Sequence, residues 1–221
     1  MKFPSNPGKN MTSNALKKIL LLSLLSILVP ATHGARDEAS DGFVSIFDGQ
    51  SMEGWLGNID GYEARDGVLS CLPGKGMGGN IFTEKEYGNF ILRFEFKLTP
   101  GANNGLALRC PLEGKPHGKG FESQILDNTA ERYKNLKETQ YHGSLYKLIA
   151  AKRGHLKPVG EWNKQEVMMN GNHIRITLND EVILEDQDIS RFRRPAKGHL
   201  GFLGHGSLVE FKNIEIKELG K

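Results

Sequence analysis

Cysteine is scarce in this chain of 221 residues, which contains only Cys71 and Cys110. No Cys-x-x-Cys spacing occurs, so the two cysteines do not form a zinc-binding motif. Both fall in segments that we predict to be strands, and both follow an export signal described below. A disulfide would require the two strands to lie close together in space. Two buried free thiols are the alternative, and the sequence leaves both open.

No apolar run is long enough for a membrane-spanning helix, which needs about 20 residues. The apolar run Ile19–Val29 follows Lys17 and Lys18 and precedes a proline and several small residues. This order is typical of a secretory signal peptide. We therefore predict a signal peptide over residues 1–34 and a polar leader over 35–42. The protein would then be exported to the periplasm or the extracellular space, with no stable membrane insertion; an uncleaved anchor is the alternative.

An excess of positive charge is also absent from the predicted mature chain. The whole sequence contains 29 Lys and Arg against 26 Asp and Glu, a net charge of +3. Residues 1–34 contain four lysines and no acidic residue, so their removal leaves 25 basic and 26 acidic residues, a net charge of −1. This balance does not indicate nucleic acid or an anionic membrane as a partner.

Helical periodicity is rare, and residues 129–140 are the one candidate helix, with a surface loop as the alternative. Short segments that alternate or are rich in β-formers, separated by Gly, Pro and Asn turns, dominate the rest. Asn179-Asp180 predicts a tight hairpin turn. We therefore predict one all-β domain over residues 43–219, a two-sheet antiparallel β-sandwich of the jelly-roll type. The predicted strands include residues 43–47, 67–72, 90–98, 162–169, 173–178, 182–185, 199–203 and 208–217.

Two further strands, within residues 101–110 and 121–126, carry an unusual polar face. Side chains alternate between the two faces of a strand, and one face here bears apolar residues that we assign to the core. The other face combines very small residues with polar ones, which would leave room for a sugar-sized ligand and could hold it. The residues of that face are Asn103, Gly105, Ala107, Arg109, Glu122 and Gln124.

The same alternation predicts which side chains are buried and which are open. The predicted core contains Leu92, Phe94, Phe96, Leu106, Leu108, Phe121 and Ile125. Arg93 and Glu95 are predicted to line one common open face together with Arg109, Glu122 and Gln124.

Several motifs resemble those of the 3-keto-disaccharide hydrolase family, in the family's order and over about residues 42–219. Three departures from the family pattern are Asn104 where Ser is usual, Leu203 where Gln is usual, and Lys212 where Arg is usual. The resemblance implies a concanavalin-like β-sandwich and action on glycosides oxidised at carbon 3 of the sugar. The matching segments are Phe43–Gly49 with Gly54-Trp55, Tyr87–Phe90, Gly120–Asp127, Gly160–Asn163, Gly204–Gly206 and Phe211–Ile214.

A ketone at carbon 3 acidifies the proton on carbon 2, so a base can remove that proton and the group on carbon 1 can leave by elimination. Hydration then completes a net hydrolysis. Such a site needs a base, an acid for the leaving oxygen and a group that stabilises the enolate. Glu122 is the candidate base, although a structural ion pair is the alternative. Arg109 is the candidate partner of the enolate oxygen, with an ion pair as the alternative.

Histidines and further polar residues complete the predicted site. His142 and His205 are candidate acid/base groups, and an ordinary turn or surface histidine is the alternative for each. Asp127 could be a second carboxylate, or could bind a divalent cation with Glu122 and a histidine, although no compact ligand motif supports a metal. Trp162 and Trp55 could stack on a sugar ring or lie in the core. The predicted substrate-binding residues are Asn103, Arg93, Glu95, Arg109, Gln124, Asp127 and Trp162.

Two other functions fit the same fold. A carbohydrate-binding lectin-like module would need the polar groove but no acid/base pair with shifted pKa values. A retaining glucanase would need two carboxyl groups about 5 Å apart, and Gln124 occupies the position where the strand would place the second.

Overall fold

A computed structural model describes residues 41–74 and 78–220. The predicted signal peptide and nearly all of the polar leader therefore lie outside the described residues. Within the described ranges, no helix is long and apolar enough to cross a membrane.

Thirteen antiparallel strands and little helix make up the described chain. The α-helix α1 is a single turn, Pro116–Lys119, and 3-10 turns lie at Ile59–Gly61, Glu131–Tyr133, Glu138–Gln140 and Ile189–Phe192. The strands are β1 Val44–Ser45, β2 Trp55–Gly57, β3 Tyr62–Arg65, β4 Val68–Cys71, β5 Gly79–Tyr87, β6 Phe90–Leu98, β7 Asn103–Cys110, β8 Phe121–Leu126, β9 Trp162–Asn170, β10 His173–Leu178, β11 Glu181–Asp186, β12 Gly198–Gly204 and β13 Val209–Glu218.

The strands form two sheets that pack face to face, as predicted. The first sheet has the order β11-β10-β9-β6-β13-β4-β3, and β1 pairs with the free part of the β13 edge. The second sheet has the order β2-β5-β12-β7-β8. Non-consecutive strands are neighbours in both sheets, which is the crossed connectivity of a jelly roll. The fold class predicted from the alternating segments is confirmed.

The core lies between the sheets and contains all seven side chains predicted to be there. Each of the seven is at most 2% exposed. Strand β6 shows the reason, since its buried and half-buried residues alternate over its whole length. Phe202 of the second sheet stacks on Phe211 of the first with ring centroids 3.8 Å apart, which joins the two sheets.

Three local expectations had different outcomes. The hairpin turn at Asn179-Asp180 is confirmed, because both residues have positive φ and connect β10 to β11. The candidate helix over 129–140 was wrong, and two separate 3-10 turns occupy the segment. Strand β5 was missed because Glu84, Lys85 and Glu86 interrupt its alternation.

The two cysteines are free and buried, so the disulfide alternative was wrong. Cys71 faces the main core from the first sheet. Cys110 belongs to the second sheet and packs with Phe82, Ala107 and Leu203 in a separate small cluster. The sandwich therefore keeps the two thiols in different layers.

Candidate functional site

Strands β7 and β8 build a polar groove on the outer face of the second sheet. Glu122 is the register partner of Ala107, and Gln124 is the partner of Gly105. Residues adjacent to these in sequence point into the core: Leu106, Leu108, Phe121 and Ile125. Because side chains alternate along a strand, Gly105, Ala107, Glu122 and Gln124 face outward. We call this surface the groove; Asn103 belongs to it, half-buried at the start of β7.

The absence of a side chain at Gly105 leaves the space that the Glu122 carboxylate occupies. A methyl group on Gly105 would lie 2.5 Å from Oε1 of Glu122 and 3.1 Å from its Cγ. A contact of 2.5 Å does not occur between a real Cβ and its neighbours, so any side chain at position 105 would displace the carboxylate from its place over β7. The small residues predicted to make room on this face therefore do so, although part of the room is filled by Glu122 itself.

Glu122 is buried without a full set of partners. Its side chain is 6% exposed, and Nδ1 of His117 lies 3.5 Å from its Oε2. Burial raises the pKa of Glu122 to about 7, and the charge of Lys147 opposes this shift only in part. A carboxyl group with this pKa can accept and return a proton near neutral pH.

His117, Tyr146 and Lys147 complete this part of the groove, and none of them was predicted from the sequence as a site residue. His117 lies in α1, in the connection between β7 and β8, and its ring meets that of Tyr146 edge-on with centroids 5.4 Å apart. Tyr146 is held beside the free edge of β8 because its backbone N–H donates to the carbonyl of Glu122 over 2.8 Å. Nζ of Lys147 lies 5.1 Å from the centre of the Tyr146 ring. The sequence did contain one signal for His117: it lies in the connection between two strands predicted to be neighbours, and such a connection stays close to both strands.

The pKa of His117 is lowered by its partial burial and by the positive charges of Lys147, Lys115 and Arg194. The neutral imidazole is thus favoured beside Glu122. When such a histidine does become protonated, it is a stronger acid than a free one and gives up its proton more readily.

The other end of the groove is lined by amides and apolar side chains. Gln124 Nε2 donates to Oδ1 of Asn103 over 3.1 Å. Leu203, at the position where the family usually has Gln, is 3% exposed and packs with Phe82 and Ala107. The groove therefore combines amide groups, which can bond to hydroxyls, with an apolar floor.

Arg109 does not line the groove, contrary to the prediction. Its φ is +51°, and the ladder between β7 and β12 shifts register at this point, so strict alternation ends. The buried guanidinium donates to the carbonyls of Gly88 and Gly171, each over 2.8 Å. Burial lowers the pKa of Arg109 to about 10. Arg109 therefore ties strand β7 to two turns at the end of the sandwich.

We expect Arg109→Met to destabilise the protein by about 2–4 kcal/mol, because it removes two charge-assisted hydrogen bonds that tie β7 to the turns at Gly88 and Gly171. Urea unfolding at neutral pH measures this loss. Whatever activity the groove supports should persist in the folded fraction, since Arg109 lies outside the groove. A variant of normal stability whose activity is much reduced would return Arg109 to the site.

Arg93, Glu95 and Trp162 were also predicted for the site, and the structure places them elsewhere. They lie on the outer face of the first sheet, on the far side of the core from Glu122. Arg93 pairs with Glu215 over 2.6 Å, and Glu95 with Lys212 over 3.6 Å. The correction has a simple cause: alternation assigns residues to faces within one sheet, and β6 and β9 belong to the other sheet.

Neither tryptophan lines the groove. Nζ of Lys97 and Nζ of Lys212 lie 4.9 Å and 4.3 Å from the centre of the Trp162 ring. Trp55 is 5% exposed, and its ring stacks with that of Phe202 at 5.9 Å. The core alternative was therefore correct for Trp55.

His142 is a core residue rather than a groove residue. Its side chain is 2% exposed, and its ring stacks on Phe96 with centroids 5.0 Å apart. The backbone N–H of Leu126 donates to its Nδ1 over 3.4 Å, which places the proton of the neutral ring on Nε2. Burial lowers the pKa of His142 to about 3, so it stays neutral. It cannot contact a ligand on the outer face of the sheet.

His205 and Asp127 are not brought to Glu122 either. His205 is exposed and follows the end of β12, four residues beyond Gly201, which aligns with Ala107 and Glu122. That separation is about 13 Å along the strand. Asp127 accepts hydrogen bonds from the N–H of Gly101 and from Thr129. Although burial alone would raise its pKa, these bonds hold the pKa of Asp127 below its usual value.

A divalent cation would require several acidic, histidine or cysteine side chains close together. Within the described ranges, no group of three or more such residues could hold a metal ion. Asp127 and Glu122, the two carboxylates considered as joint ligands, have separate partners: Asp127 accepts from Gly101, and Glu122 lies beside His117.

Comparisons with known proteins agree with this fold. The family model described as the 3-keto-alpha-glucoside-1,2-lyase-like domain matches residues 42–217. A 3-keto-disaccharide hydrolase of Bacteroides thetaiotaomicron is 28% identical, with 81% of this chain and 79% of that protein covered. A crystal structure from Parabacteroides distasonis, provisionally named a glycosyl hydrolase, has a TM-score of 0.71 at 28% identity and covers 80% of this chain and 99% of its own. The exoplasmic domain of VIP36, at 12% identity and a TM-score of 0.53 over 81% of this chain and 89% of its own, shows the fold alone.

Proposed function

Because this chain belongs to the 3-keto-alpha-glucoside-1,2-lyase-like family, we propose that it cleaves glycosides whose sugar carries a ketone at carbon 3. The observation that supports this proposal best is the buried Glu122 carboxyl, with a pKa raised to about 7, on the outer face of the second sheet. A group with this pKa is half ionised at neutral pH and can act as a base there.

The proposed reaction begins with proton removal. Glu122 takes the proton from carbon 2, and the electron pair of that C–H bond passes toward the carbon 3 oxygen as an enolate. The charge of Lys147, which already acts on Glu122, offsets the negative charge as it moves from the carboxylate to the enolate. Gln124 and Asn103 bind hydroxyls of the sugar at the amide end of the groove.

Elimination and hydration complete the reaction. The enolate electrons form the double bond between carbons 1 and 2 as the bond from carbon 1 to the leaving oxygen breaks. His117, 3.5 Å from Glu122, relays the proton to that oxygen. Water then adds, with its hydroxyl on carbon 1 and its proton on carbon 2, so that the net change is hydrolysis. We also propose that the protein is exported, on the signal-peptide pattern of residues 1–34.

A lectin-like module is the second candidate, and Asn103 and Gln124 would serve it equally well. A binding module gains nothing from a buried carboxyl of raised pKa, because ligand binding needs no proton transfer. A retaining glucanase lacks support, since Gln124 is an amide and Asp127 is saturated by local hydrogen bonds.

Cleavage in heavy water tests the proposed route. If the carbon 2 proton leaves during turnover, the released 3-keto-sugar should carry deuterium at carbon 2 beyond what the free sugar exchanges unaided. Mass spectrometry or proton NMR of the product measures this incorporation. The unoxidised parent disaccharide is the matched control and should not react, because without the ketone its carbon 2 proton is far too weakly acidic.

Two outcomes would contradict the proposal. Equal cleavage of the parent disaccharide would indicate an ordinary glycosidase. Product without enzyme-dependent deuterium would count against elimination, unless Glu122 returns the same proton to carbon 2. Cleavage rates of substrates with hydrogen or with deuterium at carbon 2 distinguish these two explanations. If Glu122 removes the carbon 2 proton and returns it, the deuterated substrate is still cleaved more slowly.

A further inference from the structure

Three cations surround His117 at the end of the groove where Glu122 lies. Lys115 directly precedes α1, and the guanidinium of Arg194 donates to the carbonyls of His117 and Gly118. Lys147 follows Tyr146, whose ring contacts that of His117. We call Lys115, Lys147 and Arg194 the cationic rim.

The positive charge of this rim is not balanced by ion pairs. In the part of the chain that the structure describes, none of the three forms a salt bridge. The nearby Glu122 is buried and lies 3.5 Å from His117, whose neutral form is favoured. The outer face of the first sheet is different, because Lys97 there pairs with Glu210 over 2.5 Å. All three rim charges act on His117 in the same direction, so their fields add at this point.

The geometry of the groove decides which part of a substrate meets the rim. The sugar is held between the amides of Gln124 and Asn103 and the Glu122 carboxyl. His117 then delivers a proton to the leaving oxygen on the side away from those amides. In this arrangement the group attached to that oxygen extends past His117 toward the cationic rim.

We propose that the preferred substrates carry an anionic group, such as a carboxylate, sulfate or phosphate, on the leaving group. This inference rests on the proposed function, because the direction of the leaving group follows from the roles of Glu122 and His117. The cationic rim carries three positively charged side chains, and two of them are exposed lysines. These charges would attract an anionic group and would contribute little to the binding of a neutral one.

The test compares two 3-keto-glucosides that differ in one charge. One has 3-(carboxymethyl)phenol as its leaving group, and the other has the corresponding neutral amide. The methylene group separates the charge from the phenolic oxygen, so the two leaving groups have similar basicity. We expect kcat/KM to be about 5- to 20-fold higher for the carboxylate at low salt, and the difference to fall within about 2-fold in 0.5 M sodium chloride.

Two variants test whether the cationic rim causes the preference for the carboxylate glucoside. Lys115→Gln, an exposed change, should reduce the carboxylate preference by about 2- to 5-fold and change cleavage of the amide by less than about 2-fold, since it removes one of several charges that act on His117. Lys164→Gln is the matched control, because Lys164 is equally exposed but belongs to β9 of the first sheet. Equal kcat/KM values for the two glucosides, or a preference that neither salt nor Lys115→Gln reduces, would overturn the inference.

A binding measurement keeps this result separate from the proposed chemistry. If neither glucoside is cleaved, the proposed function fails, and calorimetry with the Glu122→Gln variant then decides about the rim. Tighter, salt-sensitive binding of the carboxylate glucoside would support the anion site without the chemistry. Equal binding of the two glucosides would overturn it.

Discussion

Replacing Glu122 with Gln should lower the rate of 3-keto-disaccharide cleavage by about 10²–10⁴-fold, the usual contribution of a general base. The amide keeps the shape of the side chain but cannot take a proton from carbon 2. Initial rates with saturating keto-disaccharide measure the effect. Substrate binding should change much less, because Gln124 and Asn103 remain in place.

The matched control is Glu95→Gln, which makes the same chemical change on the outer face of the other sheet and should leave the rate unaltered. The wild-type kcat/KM should also rise with pH through about 7, as Glu122 becomes ionised. An unchanged rate in Glu122→Gln would remove the base from this position. Of the two histidines predicted as acid/base groups, only His205 lies outside the core and could then replace Glu122.

Folding stability gives Glu122→Gln a second readout. The folded-state pKa of Glu122 is raised, so ionising this buried group lowers stability as pH rises from about 4.5 through about 7. Glutamine has no such penalty. We therefore expect Glu122→Gln to be at least as stable as the wild type at pH 8, which excludes unfolding as the cause of its lost activity.

Acid should destabilise this protein strongly through His142. The pKa of this buried histidine is about 3 in the folded chain and 6.5 in its ordinary state. Below pH 6.5 the unfolded chain binds a proton that the folded chain does not, so stability falls as pH drops through this window. The loss reaches about 3 kcal/mol by pH 4.5 and up to about 5 kcal/mol by pH 3.

Urea unfolding at pH 7.5, 6 and 4.5 measures this loss, and His142→Gln isolates it. That variant should be less stable than the wild type at pH 7.5, because Gln does not stack on Phe96 as the ring does. It should then lose less stability on acidification. His155→Gln, which changes a half-buried loop histidine, should follow the wild type. Parallel curves for the wild type and His142→Gln would contradict the prediction.

The core was predictable because alternation is a local property of a strand. Leu92, Phe94 and Phe96 are two residues apart, so a single regular strand must place them on one face. The same reasoning placed Glu122 and Gln124 together correctly, since they lie on one unbroken strand, β8. Within a regular strand, the odd or even position of a residue is therefore sufficient to assign its side chain to one face of the sheet.

Parity failed where the strand is irregular or where two sheets are involved. The positive φ of Arg109 turns its side chain toward the end of the sandwich, and nothing in its sequence neighbours requires that. Arg93 and Glu95 alternate correctly within β6, but β6 lies in the first sheet. The sequence contains no signal that assigns a strand to one sheet or the other.

The sequence by itself thus determined the β-sandwich, its core and the placement of Glu122 and Gln124 on one outer face, because these follow from alternation and composition. Only the tertiary structure decided which side chains accompany Glu122. His117 and Lys147 reach it because the connection after β7 and the segment after Tyr141 both fold onto β8. His142 is excluded because the same segment turns its ring onto Phe96 in the core. Such contacts depend on the path of a loop through space, and residues 117, 122 and 147 share no periodicity that could predict it.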